Sequence, residues 1–332
     1  MNTPLAYLNG RFLPFTEAAL PLHDAGFVSG ATIVDNARTF RHTLFRWPDH
    51  LARFRRDCAA CYVPLDASDE SLIATAEELV AHNAKLLPPG GELQLVTFAT
   101  PGPLGFYLGE ATSGPATLGM VTYPLPFARY RRFFTEGVTL AIAGMQHSHS
   151  QDLLPPRVKH RSRLFWHIAA HVLKDPASEL SWRLDPPATD ASVVPVVFGG
   201  AGAAADTAIG SILVVLGDTV VAQDEGHVQD SISARVVREL CAAVGLKSHA
   251  GTIELGRFAR PPLPEEERSK YPQPSELLLA GTGFCVAGVR RFGFRDRCRD
   301  YAWPGPVFGM LLAAWSDLVG VDVAKQFIGE GV

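Results

Sequence analysis

Pro155-Pro156-Arg157-Val158-Lys159-His160-Arg161-Ser162-Arg163-Leu164 is the stretch on which the reading of this chain turns. One lysine stands among three arginines and a histidine. Each neighbouring positive charge disfavours another, so the amine of Lys159 gives up its proton more readily than an isolated lysine does. The unprotonated amine is the form that attacks an aldehyde. A solvated basic loop is the plain alternative for this stretch taken alone, and the remainder of the chain weighs between the two.

Around that stretch, 332 residues exceed what one ordinary core organises, so two domains are expected. A hydrophobic fraction of 47% against 19% charged residues places the chain among folded proteins. The net charge of −4 offers no basic field for nucleic acid. No apolar run reaches the length of a membrane span, and the first residues lack a signal-peptide pattern. Five cysteines, an odd number, argue against a disulfide framework and for the cytoplasm.

The first half reads as a hairpin closed by Asn9-Gly10, a strand over 32–40, helices over 48–62 and 68–87, and strands over 93–98 and 116–122. Stretch 123–136, rich in proline and arginine, reads as a linker. The domains are therefore set at 1–123, with a linker over 124–136, and 137–332. In the second half, strands are expected over 138–143, 193–198, 212–216, 220–221 and 276–279. Helices are expected over 164–173 and 233–244, and a helix over 306–319 is expected to close the chain.

Three further segments supply what a phosphate-bearing pyridine aldehyde needs. Gln229-Asp230-Ser231-Ile232-Ser233 enters a helix, and helix N-termini bind phosphate through their unpaired N–H groups. Gly281-Thr282-Gly283 follows a strand, giving close backbone approach and a hydroxyl. Asp206, just before a strand, offers a carboxylate for a ring nitrogen. A capped helix and a tight turn are the bland readings of each alone. Other motifs read as structural. Gly199 to Ala205 is a flexible turn, because a strand follows it where a dinucleotide fingerprint needs a helix. Cys58-Ala59-Ala60-Cys61 packs a helix, with no second pair to complete a metal site. His167 and His171 lie on a helix surface, and His147 and His149 lie in a loop before Lys159.

In this order the segments resemble the class IV pyridoxal-phosphate aminotransferases, a family of branched-chain aminotransferases, D-amino acid aminotransferases and 4-amino-4-deoxychorismate lyases. The likeness takes in Leu8-Asn9-Gly10, Asp24-Ala25-Gly26-Phe27-Val28-Ser29-Gly30, His50-Leu51-Ala52-Arg53-Phe54, Lys159-His160 with Arg163-Leu164, Asp206 to Ile212, Ser231-Ile232-Ser233, Ala280-Gly281-Thr282-Gly283 and Pro304-Gly305-Pro306-Val307. It runs from Tyr7 to about Leu318. It implies an α/β fold with a small N-terminal domain, a larger C-terminal domain carrying a β-barrel-like sheet, and a homodimer. It implies pyridoxal 5'-phosphate as cofactor, with Lys159 as the Schiff-base lysine and Asp206 beneath the ring nitrogen. Arg53, Ile232, Ser233 and Thr282 fall on the phosphate positions, and Val34 and Gly283 on the substrate positions. The expected reaction moves an amino group between an amino acid, branched-chain ones included, and a 2-oxo acid. Aminodeoxychorismate lyase and a relative that binds the cofactor without transaminating are the alternatives. Asp206 stands where the family has glutamate, Ser211 where it has asparagine, Ser231 where it has glycine, and Asp35 where it has glutamate.

Overall fold

Asn9 and Gly10 both take left-handed φ angles, 48° and 87°, as the central pair of a type I′ hairpin turn requires. They join β1 (Leu5–Leu8) to β2 (Arg11–Pro14), with Leu8 opposite Arg11. The computed structural model describes residues 3–146, 154–198, 205–224, 226–252, 254 and 273–329. The glycine-rich turn over 199–204 and the histidines at 147 and 149 lie outside the described residues.

Two compact units are present: Met1–Leu125 with Val158–Arg163, and Pro126–Arg157 with Leu164–Val332. In the first, the hairpin joins β3 (Ile33–Phe40), β4 (Thr43–Leu44), β5 (Leu93–Thr100) and β6 (Thr117–Pro124). The sheet order is β2-β1-β6-β5-β3-β4. A short helix, α1 (Ala25–Val28), precedes β3, and α2 (Trp47–Ala60) and α3 (Asp69–Ala84) pack on the sheet. Ser68 caps α3 by accepting from the Ser71 amide at 3.3 Å. Near its other end, buried Asn83 accepts from Leu5 N at 2.8 Å and donates to Leu5 O at 2.9 Å and Thr122 Oγ1 at 2.7 Å. One carboxamide thereby satisfies the edge of β1 where it meets the helix.

In the second unit, the stretch read as a linker holds α4 (Phe127–Thr135). Phe127, Tyr130 and Phe133 are buried at a spacing of three, so the proline and arginine content hides an amphipathic helix. After it come β7 (Val138–Gln146), α5 (Leu164–Val172), β8 (Val193–Phe198), β9 (Ala205–Thr207), β10 (Ser211–Leu216) and β11 (Thr219–Gln223). Then follow α6 (Ile232–Ala243), β12 (Lys247–Gly251), β13 (Glu276–Gly281), β14 (Cys285–Phe294) and β15 (Arg297–Asp300). The sheet order is β12-β11-β10-β13-β14-β7-β8-β9, with β15 paired to β14 off that path. Strands β10 and β13 are buried almost throughout, which is why they read as unbroken apolar runs. The chain does not close with α7 (Pro306–Val319). A further helix, α8 (Val323–Ile328), follows, capped by Asp322 on the Lys325 amide at 3.0 Å.

Buried Glu276, at the start of β13, holds the start of α7. Its carboxylate accepts from Val307 N at 2.8 Å and Phe308 N at 2.9 Å. A negative charge at a helix N-terminus satisfies two orphan donors and meets the positive end of the dipole. Gly305 is required beside it, since a Cβ there would collide with the Glu276 carboxylate.

Candidate active site

The residues singled out by sequence divide between the two units: Val34, Arg53 and Lys159 in the first, Asp206, Ile232, Ser233, Thr282 and Gly283 in the second.

In the first unit the strip Val158–Arg163 runs antiparallel along the start of β3, bridged at Ile33 and His160. The Lys159 carbonyl accepts from Val34 N at 3.0 Å, and Arg161 N donates to Thr32 O at 2.9 Å. The Lys159 amide donates to Asp57 Oδ2 at 2.9 Å. The main chain of Lys159 is thus fixed on both sides, by the strand that carries Val34 and by a side chain of α2. Val34 itself is buried.

Helix α2 presents His50, Arg53 and Asp57 along one buried stripe, at i, i+3 and i+7. Arg53 donates through Nε to Asp35 Oδ2 at 2.7 Å and through Nη2 to Asp35 Oδ1 at 2.9 Å. His50 Nδ1 lies 2.7 Å from the same carboxylate. Burial opposes ionisation of Asp35, but the Arg53 guanidinium and the His50 ring hold its carboxyl well below the usual range. Burial pushes His50 down against the pull of Asp35, and the charges of Arg53 and Lys159 push the same way. His50 therefore stays neutral, and its Nδ1–H donates to Asp35. Two of the Arg53 donors are committed to Asp35, a pairing that sequence reasoning does not anticipate. The signal is present all the same: three polar residues at helical spacing within the apolar stripe of Leu51, Phe54 and Cys58.

In the second unit, Asp206 sits in β9. Its Oδ1 accepts from Thr207 N at 2.8 Å and its Oδ2 from Gln229 N at 3.4 Å. Gln229 leads into α6, where Ser231 is the N-cap and accepts from Ala234 N at 3.2 Å. Ile232 and Ser233 are the first two residues of the helix, so their amides have no partner within it. Gly281-Thr282-Gly283 forms the turn between β13 and β14, closed by Phe284 N on Gly281 O at 3.2 Å. Neither the Ser233 nor the Thr282 hydroxyl has a hydrogen-bond partner among the described residues. The turn meets the loop after Asp206 closely. A Cβ on Gly281 would collide with Ile209 O, and one on Gly210 would fall 2.5 Å from Ala280 O. Only glycine admits this approach. Asp206, the start of α6 and the Thr282 turn are thereby tied together at one end of the sheet.

Cys58 is buried, and burial pushes its thiol up to about 12. His167 and His171 are exposed on α5, with His171 Nδ1 2.8 Å from the His167 carbonyl. Among the described residues no group of three metal-ligating side chains occurs. No described helix is long and apolar enough to cross a membrane.

The fold has known counterparts. No protein-family model matches the chain. A D-alanine aminotransferase of Staphylococcus aureus (strain N315) is 34% identical over 77 residues, 23% of this chain and 27% of that protein. The chain thus matches about a quarter of the length of the curated relatives it resembles. Among solved structures, a T.th. branched-chain amino acid aminotransferase complexed with N-(5'-phosphopyridoxyl)-L-glutamate superposes with a TM-score of 0.72 at 14% identity, over 96% of this chain and 95% of that one. The Escherichia coli branched-chain amino acid aminotransferase gives 0.72 at 12% identity, over 96% and 95%. The Thermoproteus uzoniensis enzyme with norvaline gives 0.69 at 14%, over 98% and 97%. The chain has the fold of the class IV aminotransferases, a mixed α/β architecture with one sheet curled into a half-barrel.

Proposed function

We propose that this chain is a pyridoxal-phosphate aminotransferase that moves an amino group between an amino acid and a 2-oxo acid. The observation that carries the proposal is Lys159, a lysine in a cationic neighbourhood whose main chain is held by Asp57 and Val34, within an aminotransferase fold.

The residues present fit the cofactor. The Ile232 and Ser233 amides, the Ser233 and Thr282 hydroxyls and the glycine approach at Gly281 make a cradle for a phosphate. The resemblance also assigns Arg53 to the phosphate, and its guanidinium is held by Asp35 within the first unit. Asp206 offers a carboxylate to a protonated ring nitrogen. Pyridoxal phosphate, when bound, supplies the electron sink for amino-acid chemistry. The chain's own part is to bind and to move a proton. Lys159 is the residue that would hold the cofactor covalently, and its amine, once released by the incoming amino group, would take the proton from the substrate Cα and return it. The resemblance assigns Val34 and Gly283 to the substrate, and branched-chain amino acids are the first class to offer.

A homodimer is part of this proposal. Leu22, Phe27, Phe106, Tyr107 and Leu108 are exposed on two neighbouring segments, 22–28 and 102–108, joined by Ala25 N to Gly102 O at 2.9 Å and Leu104 N to His23 O at 2.8 Å. Exposed apolar clusters of this kind mark association surfaces. Five free cysteines support residence in the cytoplasm.

Purified protein incubated with pyridoxal phosphate and reduced with borohydride should carry the label on the Lys159 peptide, and Lys159→Ala should carry none. A label on another lysine, or no label, overturns the reading.

A further inference from the structure

We propose that Asp57 is a positioning residue for Lys159: its buried carboxylate holds the lysine's main-chain amide and tempers the positive field in which the lysine's amine ionises. The role assigned to Asp57 rests on Lys159 being the cofactor lysine.

The geometry joins residues 102 positions apart, Lys159 N to Asp57 Oδ2 at 2.9 Å. The other oxygen of the carboxylate accepts from Arg56 Nε at 3.1 Å and Nη2 at 2.8 Å. The Asp57 side chain is 1% exposed. Burial pushes its carboxyl up, against the Lys159 amide, Arg56 and Arg53, which pull it down. A face that only packed would be better served by an apolar side chain, since burying a charge is costly unless its partners need it. Here the partner that needs it is the amide of the one residue whose amine is required. Asp57 lies one turn beyond Arg53 on the same stripe of α2. One helix therefore holds both the Arg53 guanidinium and the lysine strip.

The charges around the strip are Arg53, Arg56 and Asp57 from α2, Asp35 from β3 paired to Arg53, and Arg161 and Arg163 of the strip itself, with neutral His50 beside Asp35. Asp35 is paired to Arg53, whereas Asp57, though shared with Arg56, is the carboxylate bonded to Lys159 itself, and it offsets part of the excess of cations. Removing its charge leaves the ammonium of Lys159 less favoured. The apparent pKa of Lys159 should fall by about one unit, the size of shift a nearby charge produces.

Two readouts on the full chain without cofactor test this. Acetylation of Lys159 followed by peptide mass spectrometry, as a function of pH, gives the midpoint at which the amine becomes reactive, with Lys85 and Lys174 as internal references. Amide hydrogen exchange at Lys159 reports the bond to Asp57. Asp57→Asn keeps an oxygen acceptor and loses the charge. It should move the Lys159 midpoint down by about one unit while leaving amide protection near wild type. Asp57→Ala should move the midpoint likewise and also speed exchange at Lys159 by about tenfold or more. An unchanged midpoint in Asp57→Asn, or unchanged protection in Asp57→Ala, overturns the proposal. The borohydride labelling above is separate. Failure there removes the cofactor reading, whereas failure of these two readouts with labelling intact removes only the role of Asp57.

Discussion

Replacing Arg53 with alanine should cost far more than its reach toward a ligand would suggest. Arg53 and Asp35 are both almost fully buried, at 3% and 1% exposure, and joined by two charge-assisted hydrogen bonds. Truncating one partner leaves the other charge buried beside a neutral His50. Such breaks cost about 3–5 kcal/mol. For a chain of 332 residues, roughly 1.5 °C per kcal/mol puts the loss at about 4–7 °C in Tm. The pH dependence has a definite sign. In the wild type the Asp35 carboxyl is held well below the ordinary value. Its stabilisation is therefore complete above the unfolded pKa, about 3.9, and is lost as pH falls through the folded one. Without Arg53, burial dominates and Asp35 moves above the ordinary value, so the mutant's deficit should narrow as the solution is acidified toward that value. Adding Asp35→Asn to Arg53→Ala removes the stranded charge and should recover about 2 kcal/mol. Urea unfolding of the four proteins of this cycle at several pH values is the assay. If Arg53→Ala costs less than about 1 kcal/mol, or the double variant is no more stable than the single, the pair is not what organises this part of α2. Arg53→Lys, which keeps a charge, is the variant in which cofactor affinity is to be read.

Asp206→Asn should retain cofactor while slowing proton abstraction, because an unprotonated ring is a poorer electron sink; stopped-flow spectra with an amino acid would show equal rates if Asp206 does not serve the ring. Gly281→Ala forces a Cβ against Ile209 O and to within 2.7 Å of the Phe284 ring. It should lower stability by about 1–3 kcal/mol and weaken phosphate retention, both measured by thermal shift with and without added pyridoxal phosphate. Glu276→Ala strips two buried amides of their acceptor and should lower the urea midpoint by the equivalent of about 2–3 kcal/mol.

What the sequence conveys follows the strength of local signals. Asn9-Gly10 names its turn, and the unbroken apolar runs of β8, β10 and β13 name their strands. Strand β14 is hard to read although it is central, because Gly288, Gly293 and the pair Arg290-Arg291 break its pattern. The two glycines answer to packing: a Cβ at Gly288 would meet Trp303, and one at Gly293 the backbone of Arg297. Strand β12 escapes notice because an edge strand built from Lys247, Ser248 and His249 carries little apolar content. Among the candidate site residues, the local structure around motif-borne positions is legible: the Ser231-Ile232-Ser233 helix start and the Thr282 turn. The Asp35–His50–Arg53 cluster and the bond from Asp57 to Lys159 are not, since they depend on which buried polar groups meet across 15 to 102 residues.

The strip over 158–163 also bears on how this protein can be divided. Strand edges are templates on which other chains pair. The outer edge of β3 is closed from two directions, by β4 opposite Thr39 and Phe40 and by the strip opposite 32–34. A fragment stopped at Leu125 keeps every strand of its sheet yet bares Thr32-Ile33-Val34, a β-branched triplet suited to stacking against a second fragment. Producing the first unit as soluble material therefore calls for a graft, with residues 158–163 returned through a short engineered turn, and a simple truncation gives a self-adhesive product.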